Sequence, residues 1–383
     1  MRSRAWLLAG ALMISVCTAL AQRSPFNGLE VLPADSTGHY RILIGGHFHG
    51  ESSNRSGYPA STLLANLDTI NGLGAHLFLS TGDLYMDAKA DSARYAKALF
   101  SKLKVPFFNA PGNHDGSKGS GLVCDIRMIG RVGYADDQQV DLDGSYLEKD
   151  FRFHVPPSVG PSYASLHFLL NLEQSDGSVE ASQLKRLRET AEDLQRFREL
   201  SEASHDSWRT EWKVFIISHR PIWAEGDPQY SNLFKDNTRS LTGTNFQKEV
   251  YPILQDIAKH AQVFWISGSL GGQAPSSIFF QQHAHNITYI QCAIRDEPRD
   301  ALLIADVHPD TLKWSALSLT GQQLEAPETY DAAWWGKRVG KEEPFNWRLL
   351  PYLIKKTLTR AEFWWGAAFG VLLLLIARRL YRR

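Results

Sequence analysis

The sequence lacks several features that would assign it to a special class. Lysine plus arginine and aspartate plus glutamate both number 41 in 383 residues, so the basic excess of a nucleic-acid-binding protein is absent. Its three cysteines are too few for a disulfide framework and lack the spacing of a zinc site. No internal repeat or low-complexity tract occurs. The composition, 43% hydrophobic and 21% charged, is that of a globular protein able to bury a full core.

The N-terminus has the pattern of a secretory signal peptide. Two arginines precede an apolar run, and the sequence ALA at 19–21 follows it as a cleavage site of the A-x-A type. We therefore expect residues 1–21 to be removed, with an uncleaved membrane anchor as the alternative. Cys124 and Cys292 then remain in an oxidising compartment, where they could pair if their Cα atoms lie within about 7 Å.

The C-terminus is apolar and then basic. Residues 363–377 carry no charge and precede two arginines. As a helix this run spans roughly 22 Å, short of the ~30 Å hydrocarbon core, but snorkelling of the arginines lets the next residues complete the crossing. We predict an extracytoplasmic domain over 22–335, a juxtamembrane segment over 336–361, a transmembrane helix over 362–381 and a basic cytoplasmic tail at 382–383. An amphipathic or removed sorting tail is the alternative.

Five short apolar runs in the predicted domain each end in polar or glycine-rich residues. They are YRILIGGHFHG (40–50), HLFLSTGDLYMD (76–87), VPFFNAPGNHDG (105–116), KVFIISHRPIW (213–223) and QVFWISGSLGG (262–272). Runs this short and apolar fit strands buried on both faces. Helical patterns lie between several of them, so the sequence predicts an α/β fold with a largely parallel or mixed sheet. Ligands bind outside the carboxyl ends of such strands, so the five loops should converge on one site.

The loops after these strands contain residues of the types that bind metal ions. They are His47, His49, Asp83, Asn113, His114 and His219. Imidazole, carboxylate and amide oxygen form the ligand set of borderline metals such as zinc, manganese and iron. Each residue alone has an ordinary explanation, since Asp83 could cap a helix and Asn113 could hold a turn. Their recurrence at successive strand ends favours a site.

At these positions the chain resembles the calcineurin-like metallophosphoesterases. That family carries five blocks in order: DxH, GDxxD or GDxxY, GNHD or GNHE, a lone histidine after a strand, and GHxH. The chain has GD at 82–83, GNHD at 112–115 and SHRP at 218–221, and its segment 168–187 resembles the family's stretch between the third and fourth blocks. The resemblance covers about residues 40–310. It implies a layered sandwich of two mixed β-sheets flanked by helices.

The resemblance also implies roles for individual residues. In the family, two metal ions are bridged by the aspartate of the second block, which is Asp83 here. By position, His49 binds the first ion, Asn113 and His219 bind the second, and His114 lies near the leaving group as proton donor or transition-state stabiliser. The two cations clamp a phosphate ester, lower the pKa of a bound water and stabilise in-line attack.

The chain departs from the family's pattern at three places. HFH stands where DxH is expected, so His47 replaces the aspartate. GSLG at 268–271 stands where GHxH is expected, so both of that block's histidines are missing. Met86 occupies the last place of GDxxD, with Asp87 beside it. The family's ligand set is therefore incomplete in this chain.

The ligands that remain divide between two ions: His49, Asp83 and the substitute His47 at the first, and Asp83, Asn113 and His219 at the second. Three protein groups plus waters can hold a divalent cation, so we expect one or two ions of manganese, zinc, iron or a similar metal. His283 and His285 should not supply the missing pair. They lie in the turn after an outgoing strand, about 20 Å from the site.

Two functions from different classes fit this pattern. The first is a membrane-anchored, extracytoplasmic hydrolase of a phosphate mono- or diester. The second is a pseudoenzyme of the same fold that binds a phosphorylated envelope component or protein partner. Retention of GNHD, GD and SHRP favours the enzyme, whereas loss of GHxH favours the binding module. The glycine-rich loop at 268–272 either points backbone N–H groups at a phosphate or only closes the fold.

Overall fold

The computed structural model describes most of the predicted domain and the C-terminal helices. The described residues are 23–32, 34–51, 56–110, 112, 114–115, 153–154, 166–170, 178–203, 212–238, 243–269, 277–338, 347, 350–358 and 361–381. The predicted signal peptide (1–21), Asn113, Cys124 and the basic tail (382–383) lie outside them.

The first β-sheet has five strands in the described residues, in the order β11-β10-β1-β2-β3. Its strands are β1 (Tyr40–Gly45), β2 (Leu77–Ser80), β3 (Phe107–Asn109), β10 (Ala301–Val307) and β11 (Leu312–Ser318). β1, β2 and β3 are parallel, whereas β10 pairs antiparallel with β1 and with β11. The sheet is therefore mixed, as the sequence predicts.

The second β-sheet has six strands over the same described ranges, in the order β4-β5-β6-β7-β9-β8. Its strands are β4 (Phe153–His154), β5 (Leu166–Leu170), β6 (Trp212–Ile217), β7 (Ala261–Ser267), β8 (Ser277–Ala284) and β9 (Ile287–Ala293). The four inner strands are parallel, and β4 and β8 are antiparallel at the edges. This sheet is mixed too.

Helices cover the outer faces of the two sheets. They are α1 (Ser61–Ala65), α2 (Leu67–Gly72), α3 (Ala88–Tyr95, extended by a π-helical turn at Ala96–Phe100), α4 (Ala181–Ala203), α5 (Ser231–Thr238), α6 (Tyr251–Ala258, preceded by a π-helical turn at Phe246–Val250) and α7 (Ala332–Gly336). Strand β1 illustrates why both of its faces are apolar. Ile42 and Ile44 join the core shared with the second sheet, whereas Leu43 packs with residues of α1 to α3. The expectation of strands buried on both faces is confirmed, as is the two-sheet sandwich.

The carboxyl ends of strands from both sheets meet at one edge of the sandwich. After β9, the Ile294 amide donates to the Gly46 carbonyl just beyond β1 (3.0 Å). After β2, the Thr81 hydroxyl donates to the Cys292 carbonyl in β9 (3.1 Å), and the Thr81 carbonyl contacts the His219 ring just beyond β6 (3.0 Å). These bonds bring the loops of four strands together.

The turn between β8 and β9 lies at the opposite end of the sheet, as expected. The Asn286 side chain donates to the carbonyl of Ala258 at the end of α6 (3.0 Å), and the Asn286 carbonyl accepts from Val263 near the start of β7 (2.7 Å). His283 instead contacts the Tyr230 hydroxyl (2.8 Å). The histidines of this turn therefore do not replace the missing GHxH pair.

Cys292 lies near the site edge but is a free, buried thiol. Its Sγ lies 3.5 Å from the Ile44 carbonyl and 3.7 Å from the Ala301 carbonyl. Burial raises the pKa of this thiol to about 12. Cys292 therefore does not form the disulfide considered from the sequence, and it is unreactive at neutral pH.

Two helices follow the sandwich, α8 (Leu350–Leu358) and α9 (Ala361–Tyr381). α9 covers the predicted segment 362–381, and none of its 21 residues is buried. In the part of the chain that the structure describes, it is the one helix long and apolar enough to cross a membrane, judged by length and composition.

Asp300 is a buried carboxyl between the first sheet and its helices. Its two oxygens accept hydrogen bonds from the Thr62 hydroxyl (3.1 Å) and from the Arg295 amide (3.0 Å). Burial, assisted by the charge of Asp296, raises the pKa of Asp300 from 3.8 to about 8. The folded chain therefore holds an extra proton between these pH values, and Asp300 disfavours the fold as the pH rises through 8.

Replacing this carboxyl by an amide tests the effect of pH on stability. We expect Asp300→Asn to raise the free energy of unfolding at pH 8 by about 1–3 kcal/mol and to change it little at about pH 2.5, since the wild-type carboxyl is then protonated in both states. Urea unfolding at both pH values measures this. Asp68→Asn, an exposed change on α2, is the control. An equal shift at both pH values would contradict the assignment.

Candidate metal centre

The loop after β1 places two imidazoles on one side of the chain. His47 has φ +56°, in the left-handed region, and its amide donates to the Gly82 carbonyl (2.7 Å). His47 and His49 are buried, and Phe48 between them packs into the core of the first sheet. A Cβ on Gly46 would overlap the side chain of Thr81. The HFH pattern therefore presents both rings to the site and its phenylalanine to the core.

The loop after β2 needs glycine and a left-handed aspartate. Gly82 has φ +94° and Asp83 has φ +53°. A Cβ on Gly82 would lie 2.6 Å from the Ala110 carbonyl and 2.8 Å from the Gly112 amide. Because the loops after β2 and β3 are this close, the Asp83 carboxylate accepts the amide of His114 (3.0 Å).

Three imidazoles surround a single oxygen of Asp83. Its Oδ2 lies 3.3 Å from His219 Nε2, 3.8 Å from His47 Nε2 and 3.9 Å from His49 Nε2. One ligand atom from each of His47, His49 and Asp83 lies within 4.8 Å of the other two. The structure thus brings together every predicted site residue except Asn113, which is outside the described residues.

Backbone carbonyls orient two of these rings. His47 Nδ1 lies 3.2 Å from the Ile294 carbonyl and His219 Nδ1 lies 3.0 Å from the Thr81 carbonyl. A carbonyl oxygen only accepts, so in each contact Nδ1 carries the proton. When such a ring is neutral, as the electrostatics favour for His47, its lone pair is on Nε2, on the side of Asp83. Histidine ligands of metal ions are commonly held in this way.

Electrostatics keep the carboxyl ionised and one ring neutral. Burial by itself raises the pKa of Asp83, but His219, by charge and hydrogen bond, and then His49 and His114 hold that pKa well below its ordinary value. Burial and the neighbouring His49 lower the pKa of His47 well below its ordinary value, against the attraction of Asp83. A neutral nitrogen and an ionised oxygen therefore face each other, and a cation between them satisfies both. The donor set fits a divalent metal ion.

Asp115 fixes the two central loops, a role that sequence reasoning missed. Its Oδ1 accepts the amides of Leu84 (2.8 Å) and Tyr85 (3.3 Å). Its Oδ2 accepts the Gly112 amide (2.9 Å) and the Asn109 side-chain amide (3.1 Å). Asp115 belongs to the quoted GNHD block, so the motif pointed to it, but nothing in the motif specifies which groups it binds.

Two residues that follow the GD block, Met86 and Asp87, have roles that the motif does not specify. Asp87 accepts the amide of Ala90 (3.2 Å) and caps α3. It lies next to Met86, the residue that replaces the last aspartate of GDxxD. The Met86 carbonyl contacts Nδ1 of His114 (3.3 Å). The helix cap is therefore Asp87 rather than Asp83, and Met86 contributes through its backbone.

The loop that replaces GHxH binds the protein rather than presenting free amides. The amides of Gly268 and Ser269 both donate to the His219 carbonyl (2.8 and 2.7 Å). A Cβ on Gly268 would overlap the side chain of Thr81. The suggestion of a phosphate cradle is therefore wrong for these two amides, which close the fold onto His219. Residues 270–272 lie outside the described part.

Comparison with known proteins identifies the family. The model of the calcineurin-like phosphoesterase family matches residues 40–247, more than half of the chain. This chain belongs to the calcineurin-like phosphoesterase family. Membership implies the use of a divalent metal and a phosphate-ester substrate. None of the curated proteins compared with the chain matches it.

Two solved phosphatase structures are similar to this chain at low sequence identity. A dimetal phosphatase from Danio rerio has a TM-score of 0.44 and 12% identity, and the match covers 75% of this chain and 97% of that one. A purple acid phosphatase from seeds of yellow lupin (Lupinus luteus) has a TM-score of 0.42 and 10% identity, with coverage of 77% and 54%.

Changing Asp115 tests its role in joining the loops. In Asp115→Asn one of the two oxygens becomes an N–H donor that faces other donors, so we expect the free energy of unfolding to fall by about 2–4 kcal/mol. Thermal and urea unfolding measure the loss. Asp87→Asn is the matched control, because asparagine caps a helix about as well as aspartate. Equal stability of the two variants would rule out this role for Asp115.

Proposed function

We propose that this chain is a metal-dependent phosphoesterase that hydrolyses a phosphate mono- or diester outside the cytoplasm while anchored to a membrane. One observation carries the proposal: three imidazole nitrogens from two loops lie within 3.9 Å of one ionised, buried carboxylate oxygen. Such a cluster is unfavourable as a structural feature alone, because burial opposes its charge.

The proposed ligands are those that converge on Asp83. His47, His49 and Asp83 would hold one divalent ion, and Asp83, His219 and Asn113 would contribute to a second. A bound divalent ion polarises a phosphoryl oxygen and lowers the pKa of a water. The chain's own contribution is to fix the rings through backbone carbonyls and to keep Asp83 ionised.

His114 is the proposed proton donor to the leaving oxygen. It is partly exposed, whereas His47, His49 and His219 are each at most 3% exposed. Its Nδ1 faces the Met86 carbonyl (3.3 Å) and its amide is held by Asp83 (3.0 Å). Nε2 is then the atom that exchanges a proton with a substrate, next to the proposed metal centre.

Anchoring and location are proposed from the two ends of the chain. The N-terminal pattern is that of a secretory signal peptide. The exposed apolar helix α9 carries Arg378 and Arg379 in its last turn, where they can reach the cytoplasmic interface. The signal peptide comes first, the domain follows it, and α9 with its arginines comes last. This order along the chain favours an extracytoplasmic domain and a short cytoplasmic tail.

Removing the charge of Asp83 tests the metal centre. We expect Asp83→Asn to lower metal affinity at least about 100-fold, because losing even an outer partner of a ligand costs 10–100-fold. The amide oxygen can still accept the His114 amide, so the fold should persist. Metal content of the purified protein by mass spectrometry, together with phosphate release from generic mono- and diesters, measures the effect.

The control for this variant is Asp256→Asn, an exposed change on α6. It should bind metal and turn over substrate as the wild type does. If the wild type binds no divalent metal and Asp83→Asn changes nothing, the catalytic proposal fails and the chain is a pseudoenzyme that serves as a binding module.

His114→Ala should separate metal binding from proton transfer. We expect full metal content but a turnover reduced by roughly 10²–10⁴-fold, the usual contribution of a general acid. His285→Ala, at the exposed turn on the far side of the sheet, is the matched control and should be active. A loss of metal from His114→Ala would instead make this residue a ligand.

A further inference from the structure

Helix α8 presents an apolar stripe to solvent. Leu350, Ile354 and Leu358 are 38%, 49% and 46% exposed. Residues four apart lie on one face of a helix, so these three side chains form a continuous stripe. Trp347, just before the helix, is 75% exposed. Nothing within the described protein covers this stripe, which we call the α8 stripe.

The C-terminal end of the α8 stripe is held close to α9. Only residues 359–360 separate the two helices. The indole N–H of Trp364, in the first turn of α9, donates to the carbonyl of Leu358 (3.0 Å). If α9 crosses a membrane, the stripe therefore ends at the bilayer surface rather than at the end of a long tether.

α8 lies beside the sandwich near the proposed metal centre. α8 contacts α1, and α1 begins directly after Ala60. The Ala60 amide donates to the carbonyl of Phe48 (2.7 Å), the residue between His47 and His49. Two helix diameters, about 20 Å, thus separate the outer side of α8 from this loop.

We propose that the α8 stripe lies in the surface of the bilayer and that the site acts on a phosphate ester carried by a membrane lipid. This proposal rests on the phosphoesterase function proposed above. An apolar helix face next to a membrane span is the form of an interfacial helix. The exposed Lys355 beside the stripe is placed to meet anionic headgroups.

A protein partner is a poorer occupant of the α8 stripe. A stable protein interface buries about 800 Å² on each partner, far more than three partly exposed side chains on a nine-residue helix can supply. If α9 crosses a membrane, the short connection between the two helices also places the stripe beside lipid. The bilayer therefore accounts for both helices with one environment.

The first experiment measures where α8 lies, independently of activity. The full chain, with Cys17→Ser, Cys124→Ser and a fluorophore on Ile354→Cys, is reconstituted in vesicles of phosphatidylcholine and phosphatidylglycerol. We expect a blue-shifted emission that is quenched by lipids carrying a nitroxide on the acyl chain. Lys259→Cys, exposed at the end of α6, is the control and should not be quenched. Emission of a water-exposed label at Ile354→Cys, or quenching equal to the control, would overturn the proposal.

The second experiment measures substrate class. Phosphate release from phosphatidic acid in vesicles is compared with release from 4-nitrophenyl phosphate in water, and phosphatidylglycerol and bis(4-nitrophenyl) phosphate form the diester pair. We expect the double variant I354E and L358E to lose at least about tenfold in lipid turnover with soluble-ester turnover unchanged, since the glutamates are costly in the interface. Leu32→Glu, an exposed apolar position elsewhere, should change neither.

The two experiments distinguish the failure of each proposal. If the wild type and the double variant turn over the lipid ester equally and the soluble ester equally, the proposal of a lipid substrate is overturned. If the wild type hydrolyses none of the four esters, the phosphoesterase function fails, whereas the label at Ile354→Cys still decides whether α8 lies in the bilayer.

Discussion

The ionised carboxylate of Asp83 in a buried setting is the constraint on which the rest of the site depends. Burial opposes its charge, so the fold must supply donors or cations around it. It does so from separate loops: rings from the segment after β1 and from the end of β6, and an amide from the segment after β3. The sandwich brings those strand ends together because β1, β2 and β3 run parallel in one sheet and β5, β6, β7 and β9 run parallel in the other. Without that convergence the carboxyl would be protonated or exposed.

Close approach of these loops explains the glycines and the left-handed residues. His47 and Asp83 adopt positive φ, a conformation that costs free energy and that clusters at functional sites. Gly82 and Gly112 lie where a Cβ would meet the neighbouring loop. The conformational cost at each position is offset by hydrogen bonds that hold the loops together, above all those to Asp115. The geometry of the site therefore belongs to the packing of loops rather than to any single motif.

Much of this architecture follows from local patterns, and the remainder depends on tertiary contacts. The strand ends at Gly45 and Ser80 can be predicted from the sequence because apolar runs stop there. The GNHD block likewise marks the loop after β3. The far position of His283 follows from strand length alone. By contrast, the carbonyl partners of the histidine rings, and the two amides that bind the carbonyl of His219, join residues far apart in the chain. No pattern of nearby residues encodes those pairs, which is why the sequence left a phosphate cradle and a fold-closing loop as alternatives, and the amides of Gly268 and Ser269 fit the second.

The altered blocks change the charge balance of the proposed centre as well as its ligand count. In the family pattern two aspartates face two divalent ions, whereas here a neutral His47 stands in place of one of them, leaving Asp83 as the charged member. Two divalent ions repel each other strongly at close range, and each missing carboxylate makes that repulsion harder to offset. The loop at Gly268 adds to this imbalance, since it packs against Thr81 and binds the His219 backbone in place of supplying histidines. The ligand charge is therefore better suited to the ion proposed at His47, His49 and Asp83 than to the second ion proposed at Asp83 and His219.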